Sequence, residues 1–279
     1  MMNSPGDIAT LLDGTPLAGL PVSRDRRGAV MISGIRPDGL LQAWRAAREL
    51  VPTTGRWPVL VTDDWGPMDI SPGGGPVPPL ESELLRLDDA ARSTDPWERR
   101  RTWMHEPIRD GLVDFIMTSG HGVDLTSRVP RPAVLEPRLE VEHRLYRYVT
   151  SNPELAAHLL DRTRYAVQTD YWFTPDSVQL QLIPTDAPWL AAGFVSLFEV
   201  GAEDLAAALW QWHSQWGAEL VASWDTMLQL VVNRPPPPGE QAWTLAGQIL
   251  SLASNLEMHQ WELAVALPAS EAWFIHRRP

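Results

Sequence analysis

The strongest constraint in this chain is a switch of hydrophobic period near its C-terminal end. From Glu203 to Trp216, Leu205, Leu209, Trp212 and Trp216 recur at helical spacing and form one apolar stripe. Gly217 then stands where a helix ends in a left-handed residue. Immediately afterwards, Glu219–Ala222 and Met227–Val232 read as strands that turn at Trp224-Asp225, with Leu228, Leu230 and Val232 on one face. Pro235 to Pro238 cannot join a central strand. A second amphipathic stretch follows at 240–256, then a short helix near Gln260–Leu267 and a strand at Ala272–His276. Helices and strands therefore alternate without the regular rhythm of a parallel α/β fold. The predicted class is α+β, with a C-terminal mixed sheet and packed helices.

The N-terminal part predicts a small α/β unit. Ala29–Ser33 and Trp57–Val61 read as strands, and the segment between them, about Pro37–Leu50, as a helix with Leu40, Trp44 and Ala47 on one face. Residues 71–79 are rich in Gly and Pro and read as a loop. A helical middle follows, with helices at Glu81–Ala91, Pro96–Ser119, Pro137–Val149 and Pro153–Arg162. The last of these is capped by Asn152 with Pro at its first position. Tyr165–Val167, Tyr171–Phe173 and Val178–Leu182 read as short strands. One boundary is expected near residue 162, giving regions 1–162 and 163–279.

The chain of 279 residues contains no cysteine, which excludes disulfides and thiolate metal sites. Every basic residue is Arg, so Schiff-base lysines and the P-loop lysine are absent, and a GC-rich bacterial genome is the expected cause. The net charge of -12 argues against nucleic-acid binding. It concentrates after residue 164, where the only bases are Arg234, Arg277 and Arg278. That asymmetry would suit a protein partner with a basic surface, and it would equally serve as solvated surface. The first twenty residues do not read as a signal peptide, and no apolar run approaches the roughly 18–20 residues of a membrane span. The expected setting is cytoplasmic.

The C-terminal blocks carry a resemblance. Trp212-His213-Ser214-Gln215-Trp216-Gly217-Ala218-Glu219-Leu220-Val221, then Leu228–Pro236 with its Asn-Arg-Pro-Pro end, Glu240–Ala246, Leu263–Leu267 and Ala272–Ile275 stand in the order of a bacterial family, domain of unknown function 4253. The chain resembles that family over 184–279. It departs where the family places a Gly-Gly-Trp-Asn-x-Cys-Pro type segment, since Gly193–Phe198 stands there, and again at Phe274–Arg278. The resemblance implies a domain boundary and no reaction, substrate or cofactor.

Candidate chemistry is dispersed. His121 sits between Gly120 and Gly122 on a turn that could reach a ligand or serve only the turn. Asp63 and Asp64 follow a strand, where carboxylates suit general-base work or a cap. His143 shares a helix face with Glu140 and adjoins Glu142, but no second pair completes a metal site. His213, His259 and His276 fall in the family-like region. No G-x-S-x-G, H-E-x-x-H, G-x-x-x-x-G-K or G-x-G-x-x-G is present, and a site assembled from distant residues would leave no such motif. No cofactor and no metal are indicated. The expectation is a non-catalytic protein-binding module of regulatory, immunity-like or accessory type. Trp212, His213, Trp216, Trp224 and Trp273 are the candidate binding residues, because aromatic residues anchor interfaces. The alternatives are a hydrolase or small-ligand binder built from dispersed His and Asp, and a self-associating structural protein.

Overall fold

The computed structural model describes residues 4–25, 27–62, 80–97 and 107–278. In chain order these form α1 (Pro5–Leu11), β1 (Val22–Arg24), β2 (Val30–Ser33), α2 (Leu40–Glu49), α3 (Val51–Thr54), β3 (Trp57–Val61), α4 (Leu80–Ser93) and α5 (Val113–Met117). Then come α6 (Arg138–Thr150), α7 (Pro153–Arg162), α8 (Arg164–Val167), β4 (Gln179–Ile183), α9 (Ala202–Trp216), β5 (Ala218–Ser223) and β6 (Met227–Val232). The chain closes with α10 (Glu240–Leu252), α11 (Gln260–Ala266) and β7 (Ala272–His276). The class is α+β. The chain divides into two compact units, each discontinuous in sequence: unit 1 takes 1–94 and 173–230, unit 2 takes 95–172 and 231–279. The chain thus passes between units three times, at 94/95, 172/173 and 230/231, whereas the sequence suggests one boundary near 162.

Unit 1 is built on a mixed sheet in the order β1-β2-β4-β3-β5-β6. The β1–β2, β2–β4 and β3–β4 pairs are antiparallel, with Val30 opposite Leu182 and Leu60 opposite Leu180. The β3–β5 pair is parallel, with Leu60 opposite Ala222. The N-terminal strands therefore do not form a sheet of their own: β4 and β5, from far along the chain, complete it. β5 is buried at all six positions, as a strand covered on both faces must be. Helix α9 packs on β5 and α4. Its stripe Leu205, Leu209, Trp212 and Trp216 is buried as its period predicts. Gly217, at φ 61°, ends it in the left-handed region, and its N–H donates to the His213 carbonyl at 2.9 Å. Trp44 on α2 donates its indole N–H to the Pro58 carbonyl at 2.9 Å and so fixes that helix on β3.

Unit 2 is mostly helical. Helix α11 lies among α6, α7, α8 and α10, with Trp261, Leu263 and Ala264 buried. Unit 2 also holds β7 and the last two residues of β6, where the Val232 N–H donates to the Glu271 carbonyl at 2.8 Å. Two sequence expectations change here. The helix expected through Ser119 is broken over its described part: Pro107 pairs with Pro137 in a β-bridge, a 3-10 turn covers Asp110–Leu112, and only Val113–Met117 is α-helical. Proline lacks the amide N–H that a continuous helix needs, and Gly111 raises the cost further. Tyr165–Val167 and Tyr171–Phe173 are not strands. The first is one turn of helix α8 and the second begins in a 3-10 turn at Thr169–Tyr171.

Candidate functional site

Unit 2 contains a cavity of about 450 Å³ whose wall combines four stretches of chain. Gly120 and His121 come from the turn after α5, Tyr165 from α8, and Asn255, Leu256 and Glu257 from the loop between α10 and α11; Phe274 and His276 come from β7. The turn is pinned by a bridge between Thr118 and Asp124 and by the Ser119 N–H donating to the Val123 carbonyl at 2.7 Å. Gly122, at φ 84°, supplies the left-handed residue that closes it. The α10–α11 loop is tied to β7 by the Asn255 N–H, which donates to the His276 carbonyl at 3.0 Å.

His121 is held at both ring nitrogens. Its Nδ1 lies 2.9 Å from Glu262 Oε1 and its Nε2 lies 3.1 Å from the Tyr165 hydroxyl. Glu262 is wholly buried on α11, and three donors converge on it. The Ser119 hydroxyl and His121 Nδ1 share Oε1, and the His259 N–H donates to Oε2 at 2.6 Å. The last bond explains the glutamate locally: His259 is the N-cap of α11 and Glu262 its third residue, the back-reaching half of a capping box. The His-x-x-Glu spacing was thus the available sequence signal for a carboxylate that also reaches His121.

The Tyr165 hydroxyl lies 3.0 Å from the Leu256 carbonyl, to which it donates. Burial, with the carboxylates of Glu262 and Glu257 nearby, pushes this phenol well above its ordinary value of 10, so it keeps its proton. The same oxygen lies against His121 Nε2, so the phenol joins the imidazole to the loop between α10 and α11. Ser119 does not form a nucleophile pair with His121, because its Oγ contacts the His121 backbone N–H at 2.8 Å and the Glu262 carboxylate, not the imidazole.

His276 on the opposite part of the wall is held below its ordinary value of 6.5, first by burial and then by Arg278. Glu257 is exposed between buried Leu256 and Met258, in the left-handed region at φ 57°. A glutamate there costs on the order of 1–2 kcal/mol.

The other sequence candidates lie elsewhere. Asp63 and Asp64 fall outside the described residues. His143 is at the unit 2 surface, 3.0 Å from Glu240 Oε1 and against the Trp243 ring at 4.8 Å. Its neighbour Glu142 points inward to Arg138 Nε and the Gln260 N–H at 2.6 and 2.7 Å. Trp212, Trp216, Trp224 and Trp273 are all buried, at 5% exposure or less. Trp224 donates to Gln229 and Trp273 to Ser270. His213, half-buried in unit 1, places Nδ1 3.2 Å from the Ala218 carbonyl beside the Trp189 ring. Among the described residues no group of three or more His, Asp and Glu could hold a metal ion. Among them, too, no helix is long and apolar enough to cross a membrane. The sequence reading missed Tyr165 and Glu262, the two partners that fix His121.

Residues 179–276 match the model of a family described as Domain of unknown function (DUF4253). The match spans parts of both units and supplies Asn255, Leu256, Glu257, Phe274 and His276 to the cavity wall, while Gly120, His121 and Tyr165 lie outside it. No curated protein and no solved structure matches the chain.

Proposed function

We propose that this protein binds a small polar molecule in the cavity of unit 2. The observation that carries the reading is a cavity wall lined by His121 with both ring nitrogens fixed, by Glu262 and Tyr165. A wall whose side chains are held in place before a ligand arrives is preorganised to bind one. The proposed setting is the cytoplasm of a bacterium. The test is a thermal-shift screen of small polar compounds against the protein and a His276→Trp variant that fills the cavity. A true ligand at about a hundred times its Kd stabilises the parent by about 2.7 kcal/mol and leaves the filled variant unmoved. Ligands that stabilise both equally bind elsewhere and would refute the reading.

A second reading, docking of a protein partner through an apolar contact, is favoured by the exposed side chains Leu112, Phe115, Val134 and Leu135 of unit 2. Leu135 is 71% exposed at φ 77°, a conformation that leucine rarely adopts. Its N–H donates to the Ile108 carbonyl at 3.0 Å, which holds it outward. Phe115→Glu with Leu135→Glu would abolish capture of such a partner and leave the thermal-shift ligands unaffected.

A further inference from the structure

We propose that the ligand of this cavity is an organic ammonium, held by Glu257 and the faces of Phe274 and Tyr165; this rests on the reading of the cavity as a small-molecule site. The argument is a charge inventory of the wall. His121 directs Nδ1 to Glu262, so any positive charge it carries is matched by a buried carboxylate. His276, depressed by burial and by Arg278, is neutral at pH 7. Arg278 lies outside the lining, with its backbone N–H anchored to Asn255 Oδ1 at 2.8 Å, and its charge acts on His276. Arg277, also outside the lining, reaches Ser254 Oγ at 3.4 Å. Glu257 is the remaining charged group of the lining. Its charge acts on both Tyr165 and His276, two other residues of the lining.

The rest of the lining fits the same chemistry. Tyr165 and Phe274 offer π faces, which attract cations and most readily those with a diffuse, weakly hydrated charge. The His121 and Tyr165 rings stack at 5.6 Å, and Phe274 lies 5.8 Å from His276, so each aromatic is backed by an imidazole that keeps its orientation. The lining contains no arginine, so an anion bound there would meet the Glu257 carboxylate. The loop itself is constrained to present the carboxylate. Leu256 is fixed through Tyr165 and Asn255 through β7, while the left-handed Glu257 between them and buried Met258 turns outward.

The test titrates tetramethylammonium, and in parallel acetate and inorganic phosphate, into the full chain at constant ionic strength. The imidazole proton resonances of His121 and His276 are followed by NMR and assigned with single His→Gln variants. Tetramethylammonium is expected to give saturable shifts at both histidines. Glu257→Gln, an exposed and isosteric change, is expected to weaken it by about threefold to fivefold. Phe274→Leu is expected to weaken it by about threefold. Saturable binding of acetate or phosphate in place of the ammonium, or an unchanged affinity in Glu257→Gln, would overturn the ammonium assignment while leaving the cavity a binding site. Silence of both histidines to every probe of either charge would overturn the ammonium assignment and count against the cavity itself.

Discussion

Replacing Glu262 with Gln isolates the group on which the site depends. The substitution keeps the volume and removes the charge. Its remaining carbonyl oxygen can serve either the pair on Oε1, Ser119 and His121, or the His259 N–H on Oε2, but not both. The new amide NH₂ then faces a donor. A hydrogen bond to a charged partner contributes roughly 1.5–3 kcal/mol, and leaving a buried donor unmatched costs about 1–3 kcal/mol more. One bond is lost outright and two lose their charge assistance. The expected destabilisation is about 3–5 kcal/mol. At about 2–4 °C per kcal/mol this lowers the melting temperature by roughly 6–20 °C. Urea unfolding followed by tryptophan fluorescence reads it, since Trp243, Trp261 and Trp273 all lie in unit 2. His121→Gln completes a double-mutant cycle whose coupling should be about 1–3 kcal/mol. A Glu262→Gln protein within about 1 kcal/mol of the parent, or strictly additive single variants, would show that the carboxylate does not hold His121 as argued.

Three further outcomes follow from other parts of the fold. Trp212→Ala, at a fully buried position of α9, should cost about 3–5 kcal/mol in denaturant unfolding, whereas an interface tryptophan would cost little. Gly217→Ala, at φ 61°, should lose about 1–2 kcal/mol, measured the same way. Stability should also depend on pH at both ends. His276 binds its proton less tightly folded than unfolded, so the melting temperature should fall as pH drops below 6.5, and His276→Gln should remove part of that slope. Tyr165 holds its proton more tightly when folded, so its contribution is complete below pH 10 and lost above it; Tyr165→Phe should flatten that alkaline limb.

The legibility of the site varied with the range of the signal. His121 stood out because two glycines mark a turn, a local feature. Tyr165 was misread as a strand residue because three residues of alternation cannot be told from one turn of helix. Glu262 carries only the local His-x-x-Glu signal of a helix cap, and its bond to His121 closes a loop of 141 residues. The candidate tryptophans had the opposite problem. Composition marks them as large and amphipathic, which fits a core as well as an interface, and only the structure shows how far each is buried.

Local periodicity by itself determined the elements that are long and strongly amphipathic: α2, α6, α7, α9, β3, β6 and β7 are where their spacing places them, and Gly217 and Asn152 mark the helix ends they predict. The resemblance of the C-terminal third was likewise carried by its residues alone. Only the tertiary structure decided that β4 enters between β2 and β3, that the chain divides into two interleaved units, and that His121, Tyr165 and Glu262 meet. The reason is physical: a period of 2 or 3.6 residues is written in neighbouring side chains, whereas strand partners and buried polar contacts are chosen by which distant surfaces exclude water together.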